Sequence, residues 1–278
     1  MKELGLNVED FLHFFPHNSE SPYILVRLRE EQATSLLTNM REAVRRCYLS
    51  DNSLRQRTNE LKDALGGTPE SRQAKIIDAK LPSTGSTMSG DFGEILVYVY
   101  QASKVHPRIA FGPKKWRFKQ DRSKPAPFSD VVQFILPAWP ASSGNDVLLC
   151  AEVKAKATAG TASPIRNAID DCAKDRTSRL TKTLLWLRER ALGEDLGSIE
   201  ISHLNRFINT IDHPPAAKLF SAVVVICSTL VDTELDNAPP QASLEYKLVV
   251  ISVPNLQQLY TRVFEAVRST TISMEPHP

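Results

Sequence analysis

The chain has 278 residues and a mass of 31.0 kDa, and its 42% hydrophobic and 24% charged content excludes disordered and fibrous classes. No apolar stretch approaches the ~20 residues that cross a bilayer, and Met1-Lys2-Glu3-Leu4-Gly5 is unlike an apolar leader, so a cytoplasmic protein is expected. A net charge of +2 does not by itself mark a nucleic-acid binder, and Cys47, Cys150, Cys172 and Cys227 lie too far apart to form a C-x-x-C pair or a zinc spacing.

Residues 1–80 read as a mostly helical, charged extension. From Glu30 to Leu49, Ala33, Leu36, Leu37, Met40, Val44 and Cys47 recur at spacings of three and four, which makes one apolar stripe on a helix. A weaker helical pattern from Asp51 to Leu65 stops at Gly66-Gly67. Residues 81–90, rich in Ser, Thr and Gly, read as a linker, which places a domain boundary there and a second domain over 91–278.

Asp91 to Gln101 reads as a short helix with Asp91 as its N-cap and Phe92, Ile95, Leu96 and Val99 inward, strand being the alternative. Phe128–Leu136 and Asp146–Lys154 read as strands of a hairpin around a Pro- and Ser-rich loop. A long helix is expected from Ile165 to Leu192, a buried strand over Leu219–Ser228, another over Tyr246–Val253, and an amphipathic helix after Pro254. The order describes an α/β or α+β domain of three layers.

Two features carry chemistry. Between Lys104 and Lys124, eight basic residues face one acid, Asp121, with Trp116 and Phe118 among them. A solvated face and a phosphate-binding face are equally compatible with such a run; Lys114, Lys115 and Arg117 are the expected contacts to a nucleic-acid backbone.

The second feature is Glu152-Val153-Lys154 at the end of an apolar strand, where alternation puts acid and amine on one face about 6.7 Å apart. The same spacing at Glu60-Leu61-Lys62 and Glu245-Tyr246-Lys247 lacks that setting. A loop centred near residue 141 makes opposed hairpin residues sum to roughly 282, so Asp130 should face Glu152 with Cβ atoms about 4.5–5.5 Å apart. Two opposed carboxylates call for a cation, and oxygen ligands suit Mg²⁺ or Mn²⁺; Lys154 beside them could hold a phosphate oxygen or orient water. His106 and His203 are read as structural.

Asp130 followed by Glu152-x-Lys154 on adjacent strands, with Glu94 on the preceding helix, resembles the PD-(D/E)xK nuclease superfamily over roughly residues 90–230. Ser129 stands where that pattern has proline. More narrowly, Ser89-Gly90-Asp91-Phe92-Gly93-Glu94-Ile95-Leu96, Phe128-Ser129-Asp130 and Ala151-Glu152-Val153-Lys154 resemble the HamA family, nuclease subunits of the Hachiman antiphage defence system. The resemblance implies a restriction-endonuclease-like core with a mixed central sheet. It also implies catalytic Glu94, Asp130, Glu152 and Lys154, with Mg²⁺ on Asp130, Glu152 and the Val153 carbonyl. The activity it implies is cleavage of DNA, expected to be largely non-specific because phosphate contacts carry no sequence information, and the partner is the superfamily 2 helicase subunit HamB, docked on the N-terminal helices or the C-terminal region. A catalytically inactive nucleic-acid- or helicase-binding subunit on the same fold is the alternative.

Overall fold

The computed structural model describes residues 1–275 except His17, Ser21 and Asp195. Six strands are described: β1 (Asn18–Glu20), β2 (Tyr23–Arg27), β3 (Val131–Ile135), β4 (Val147–Lys156), β5 (Ala217–Cys227) and β6 (Lys247–Val253). They form one mixed sheet in the order β1-β2-β6-β5-β4-β3, with β2, β6, β5 and β4 parallel and the two edge strands antiparallel to their neighbours.

The helices are α1 (Glu30–Tyr48), α2 (Asp51–Glu60), α3 (Lys62–Leu65), α4 (Pro69–Lys80), α5 (Ser86–Val105), α6 (Pro164–Lys174), α7 (Leu180–Arg190), α8 (Ile201–Ile208), α9 (Val231–Asn237) and α10 (Leu256–Arg268). Strand alternation divides the core into two faces. Ala151, Val153, Val223, Val225, Val249 and Ile251 pack with α1, α5 and α10, whereas Leu148, Cys150, Val224 and Val250 face α6 to α9. The three-layer α/β expectation therefore holds. Among the described residues no helix is long and apolar enough to cross a membrane.

Four expectations need correction. The first 80 residues are not an appended helical unit: β2 pairs with β6 inside the sheet, and α1 shares one core with α5 and α10. Tyr-Ile-Leu-Val is too short a run for periodicity to reveal it as a strand. Residues 81–90 are not a linker, because α5 starts at Ser86 after Gly85, whose φ of 99° suits glycine. Asp91 is consequently no cap; it is buried in the second turn, where it accepts from Tyr48 Oη at 2.5 Å and pairs with Lys119 at 2.8 Å. The long helix after the hairpin is interrupted by a π-turn at Asp175–Arg179.

The hairpin matches its expected register: Val131 opposes Ala151 and Ile135 opposes Val147. Pairing with β3 stops at Ala151 while β4 continues to Lys156, which leaves the outer edge of β4 open at its carboxyl end. That open edge positions the site.

Candidate active site

A cleft of about 960 Å³ lies against the open edge, lined among others by Gly85, Gly90, Glu94, Phe128, Asp130, Glu152, Lys154 and Arg179. Phe128 enters it with a φ of 66°, an unfavourable conformation for a bulky residue that turns the chain abruptly into Ser129 and Asp130. Ser129 is then fixed by its N–H donating to Thr183 Oγ1 at 3.1 Å and its hydroxyl to Asp175 Oδ1 at 2.8 Å. Asp130 follows, and its Oδ2 accepts from the Val153 N–H at 2.9 Å, capping β4 where β3 has ended. Because N–H and C=O of a strand residue lie on one edge, the Val153 carbonyl faces the same opening.

Glu152 is buried at 1% exposure. Its Oε1 accepts from Lys154 Nζ at 2.7 Å, whereas its Oε2 accepts no hydrogen bond and has Arg179 Nη2 at 3.5 Å. Burial, followed by the charge of Asp130, lifts its carboxyl to about 9. Asp175 beside it is also raised, first by burial, although Arg179 pairs with it at 2.8 Å. Lys154 bridges Glu152 and Asp171, at 2.7 and 2.6 Å. Burial disfavours its charge, but those two acids outweigh it and hold the ammonium above the ordinary lysine range. Asp171 shows the converse: partial burial works against its charge, yet Lys154 and Lys174 pull it down to about 2.

Glu94 reaches the site from α5, on the opposite face of the sheet. It is buried, accepts from Trp116 Nε1 at 2.9 Å, and is pushed up to about 8, first by burial and then by Asp130 and Asp91, with Lys115 opposing them. Lys115 joins the two sides: its Nζ donates to the Ser129 carbonyl at 2.8 Å and lies 3.7 Å from both Glu94 Oε2 and Asp130 Oδ1.

The structure thus brings Glu94, Asp130, Glu152 and Lys154 to one cleft. It does not place Lys114, Lys115 and Arg117 as surface contacts to a nucleic-acid backbone. Lys114 is buried against Glu3 (3.1 Å), Tyr98 Oη (2.9 Å) and the Gly112 carbonyl (2.7 Å). Arg117 donates to Glu3 and the Arg46 carbonyl, each at 2.9 Å, and Lys115 is inside the site. A 3₁₀ turn over Lys115–Phe118 directs these basic side chains inward to neutralise buried acids, which charge density along a sequence does not reveal. His203 is structural: its Nδ1 accepts from the Glu200 N–H at 2.9 Å and its ring packs on Trp139.

The supports of the site, Asp171, Asp175, Arg179, Ser129 and Thr183, were not anticipated. Asp171, Asp175 and Arg179 stand four residues apart on the helix that follows the E-x-K strand, a polar line on an otherwise apolar face and the signal that could have exposed them.

The fold of the site accommodates a hard cation in part. Glu152 Oε2 is a buried oxygen without a hydrogen-bond partner, Asp130 Oδ1 is not hydrogen-bonded, and the Val153 carbonyl faces the opening, an all-oxygen set of the kind Mg²⁺ accepts while keeping several waters. Among the described residues no group of three or more His, Cys, Asp or Glu forms a ready cation-binding cluster.

The family model of HamA matches residues 7–267. The chain belongs to the HamA family. Membership points to a role in Hachiman antiviral defence, and the HamA match runs through both the N-terminal helices and the sheet. No curated protein matches the chain.

Proposed function

We propose that this HamA family chain is a metal-dependent deoxyribonuclease that hydrolyses phosphodiester bonds as the effector of an antiphage complex with a helicase partner. The observation that carries the reading is the meeting of Asp130, Glu152 and Lys154 at an open cleft, with one buried Glu152 oxygen left unsatisfied. Asp175 Oδ2 beside it also lacks a donor, so two neighbouring buried carboxylates share either a proton or, at the cleft, a cation.

Asp130, Glu152 and the Val153 carbonyl are the groups to hold Mg²⁺ or Mn²⁺, which supplies Lewis-acid polarisation and a lowered water pKa. Lys154, kept charged by Glu152 and Asp171, donates to a phosphate oxygen and steadies the negative charge of the pentacovalent transition state. It serves as a donor rather than a base. Arg179 and Asp171 hold Glu152 and Lys154 in place. With Lys114 and Arg117 committed internally, Arg122 and Lys124 take over as phosphate contacts: both are exposed in the segment that enters the cleft wall at Pro125, anchored by Ser83 N and Thr87 Oγ1 donating to the carbonyls of Arg122 and Ser123. Such contacts read no sequence, so cleavage is expected to be largely non-specific.

The test is nicking of supercoiled plasmid with Mg²⁺, using the purified chain alone and with its helicase. Activity lost in Glu152→Gln and Lys154→Met but retained in folded wild type supports the reading; equal nicking in all three removes it. The internal cations already sited on the carboxylates favour a second reading, a binding subunit without chemistry. It predicts no Mg²⁺- or Ca²⁺-dependent rise in Tm.

A further inference from the structure

The carboxylates of the cleft come from two faces of the sheet, and the place between them is not vacant of charge. Lys115 Nζ lies 3.7 Å from Glu94 Oε2 and 3.7 Å from Asp130 Oδ1, with its ammonium anchored on the Ser129 carbonyl at 2.8 Å. The side chain is 5% exposed and its anchor is backbone, so it does not swing out as a surface lysine would. Glu94 Oε2 is further occupied by Trp116 Nε1 at 2.9 Å. Glu94 therefore commits that oxygen to groups of its own chain, whereas Glu152 keeps a buried oxygen with no hydrogen-bond partner.

Sites that carry two divalent ions hold them about 3.5–4 Å apart, with a carboxylate bridging or flanking each. Here the α5 carboxylate and the β3 carboxylate already flank a tethered monovalent cation. We infer that the Lys115 ammonium stands in for a second divalent ion, so the site binds one, on Asp130 and Glu152, and Glu94 is the oxygen partner that, with the Ser129 carbonyl, keeps Lys115 in place. This rests on the nuclease reading above and specifies its metal stoichiometry. Lys115 and Glu94 are positioning residues in this scheme.

The experiment is calorimetric titration of the full chain with Mn²⁺, supplemented by electron paramagnetic resonance, which distinguishes isolated from spin-coupled Mn²⁺. Wild type is expected to bind one ion with an uncoupled spectrum, and Lys115→Met to bind two with a coupled one. Two ions in wild type, or one in both proteins, overturns the inference and leaves the nuclease reading standing. No ion bound by wild type overturns the nuclease reading and this inference with it. Should Lys115→Met fail to fold, Lys115→Gln decides, because it keeps a donor for the Ser129 carbonyl and removes the charge: two spin-coupled ions support the assignment, and a single uncoupled ion overturns it.

Discussion

Strand β4 has two buried carboxylates, one just before its first residue and one just past the point where its pairing with β3 ends, and the two are treated oppositely. Asp146, just before its first residue, pairs with Arg206 Nε at 2.6 Å and also accepts from the Ser143 N–H and hydroxyl at 2.9 and 3.1 Å; Arg206 donates onward to the Ser143 and Pro214 carbonyls, both at 2.9 Å. Both residues are at most 1% exposed. Glu152, near the other end, is as deeply buried, has several charged neighbours, and still leaves one oxygen without a hydrogen bond. A closed network of this kind fixes the structure, whereas an incomplete one beside a cleft is where a ligand gains most.

The sharpest way to break the comparison is mutation of each end. Asp146→Ala or Arg206→Ala leaves an uncompensated buried charge and should cost about 3–5 kcal/mol in urea unfolding. Glu152→Gln should leave stability within about 1 kcal/mol, because a carboxyl held up to about 9 is already protonated at neutral pH and the amide matches its shape. Its effect falls on catalysis: loss of several kcal/mol of transition-state stabilisation corresponds to about 10²–10³-fold in nicking rate. If the two variants lose stability equally, the contrast between the ends is void.

The pH dependence sharpens it further. Glu152 and Glu94 have folded values of about 9 and 8 against an unfolded value of 4.5, so the native chain holds protons that the unfolded chain has released. Their contribution is complete below the unfolded value and is lost as pH rises through about 8–9. Metal-free Tm should fall across that window, and less steeply in Glu152→Gln. Ca²⁺ competes with those protons, so its stabilisation should grow from about pH 6 to about pH 8.5. A flat response would mean the carboxylates are fully compensated internally. The smallest expected change is in Arg122→Ala with Lys124→Ala: DNA binding weakened a few-fold on every sequence, with a shallower dependence on salt. An unaltered salt slope would exclude the cleft-side loop as the phosphate contact.

Much of the site was legible because it lies on a hairpin. Once the loop centre is fixed, period-two alternation determines which residue faces which, and Asp130 opposite Glu152 follows by extrapolation from Val131 opposite Ala151. The α1 stripe was legible for the same reason, a strict period. What escaped depends on contacts between residues remote in sequence. β2 is a strand because β6, more than 200 residues later, supplies its ladder. Lys114 and Lys115 are identical neighbours in sequence, yet a 3₁₀ turn sends one to Glu3 and the other to Glu94 and Asp130. The π-turn that carries Asp175 and Arg179 adds a residue to one helical turn, which no helical period encodes.

Phe111 and Phe134 exchange backbone hydrogen bonds at 3.1 and 2.7 Å, and a Cβ on Gly112 would stand 2.2 Å from the Val132 carbonyl. A methyl group at that position would therefore pry the covering segment off β3, baring ladder groups that a neighbouring molecule could template on and pulling the attached lysines out of position. Solubility and the geometry of the cleft consequently share a single point of vulnerability, at a residue outside the cleft lining.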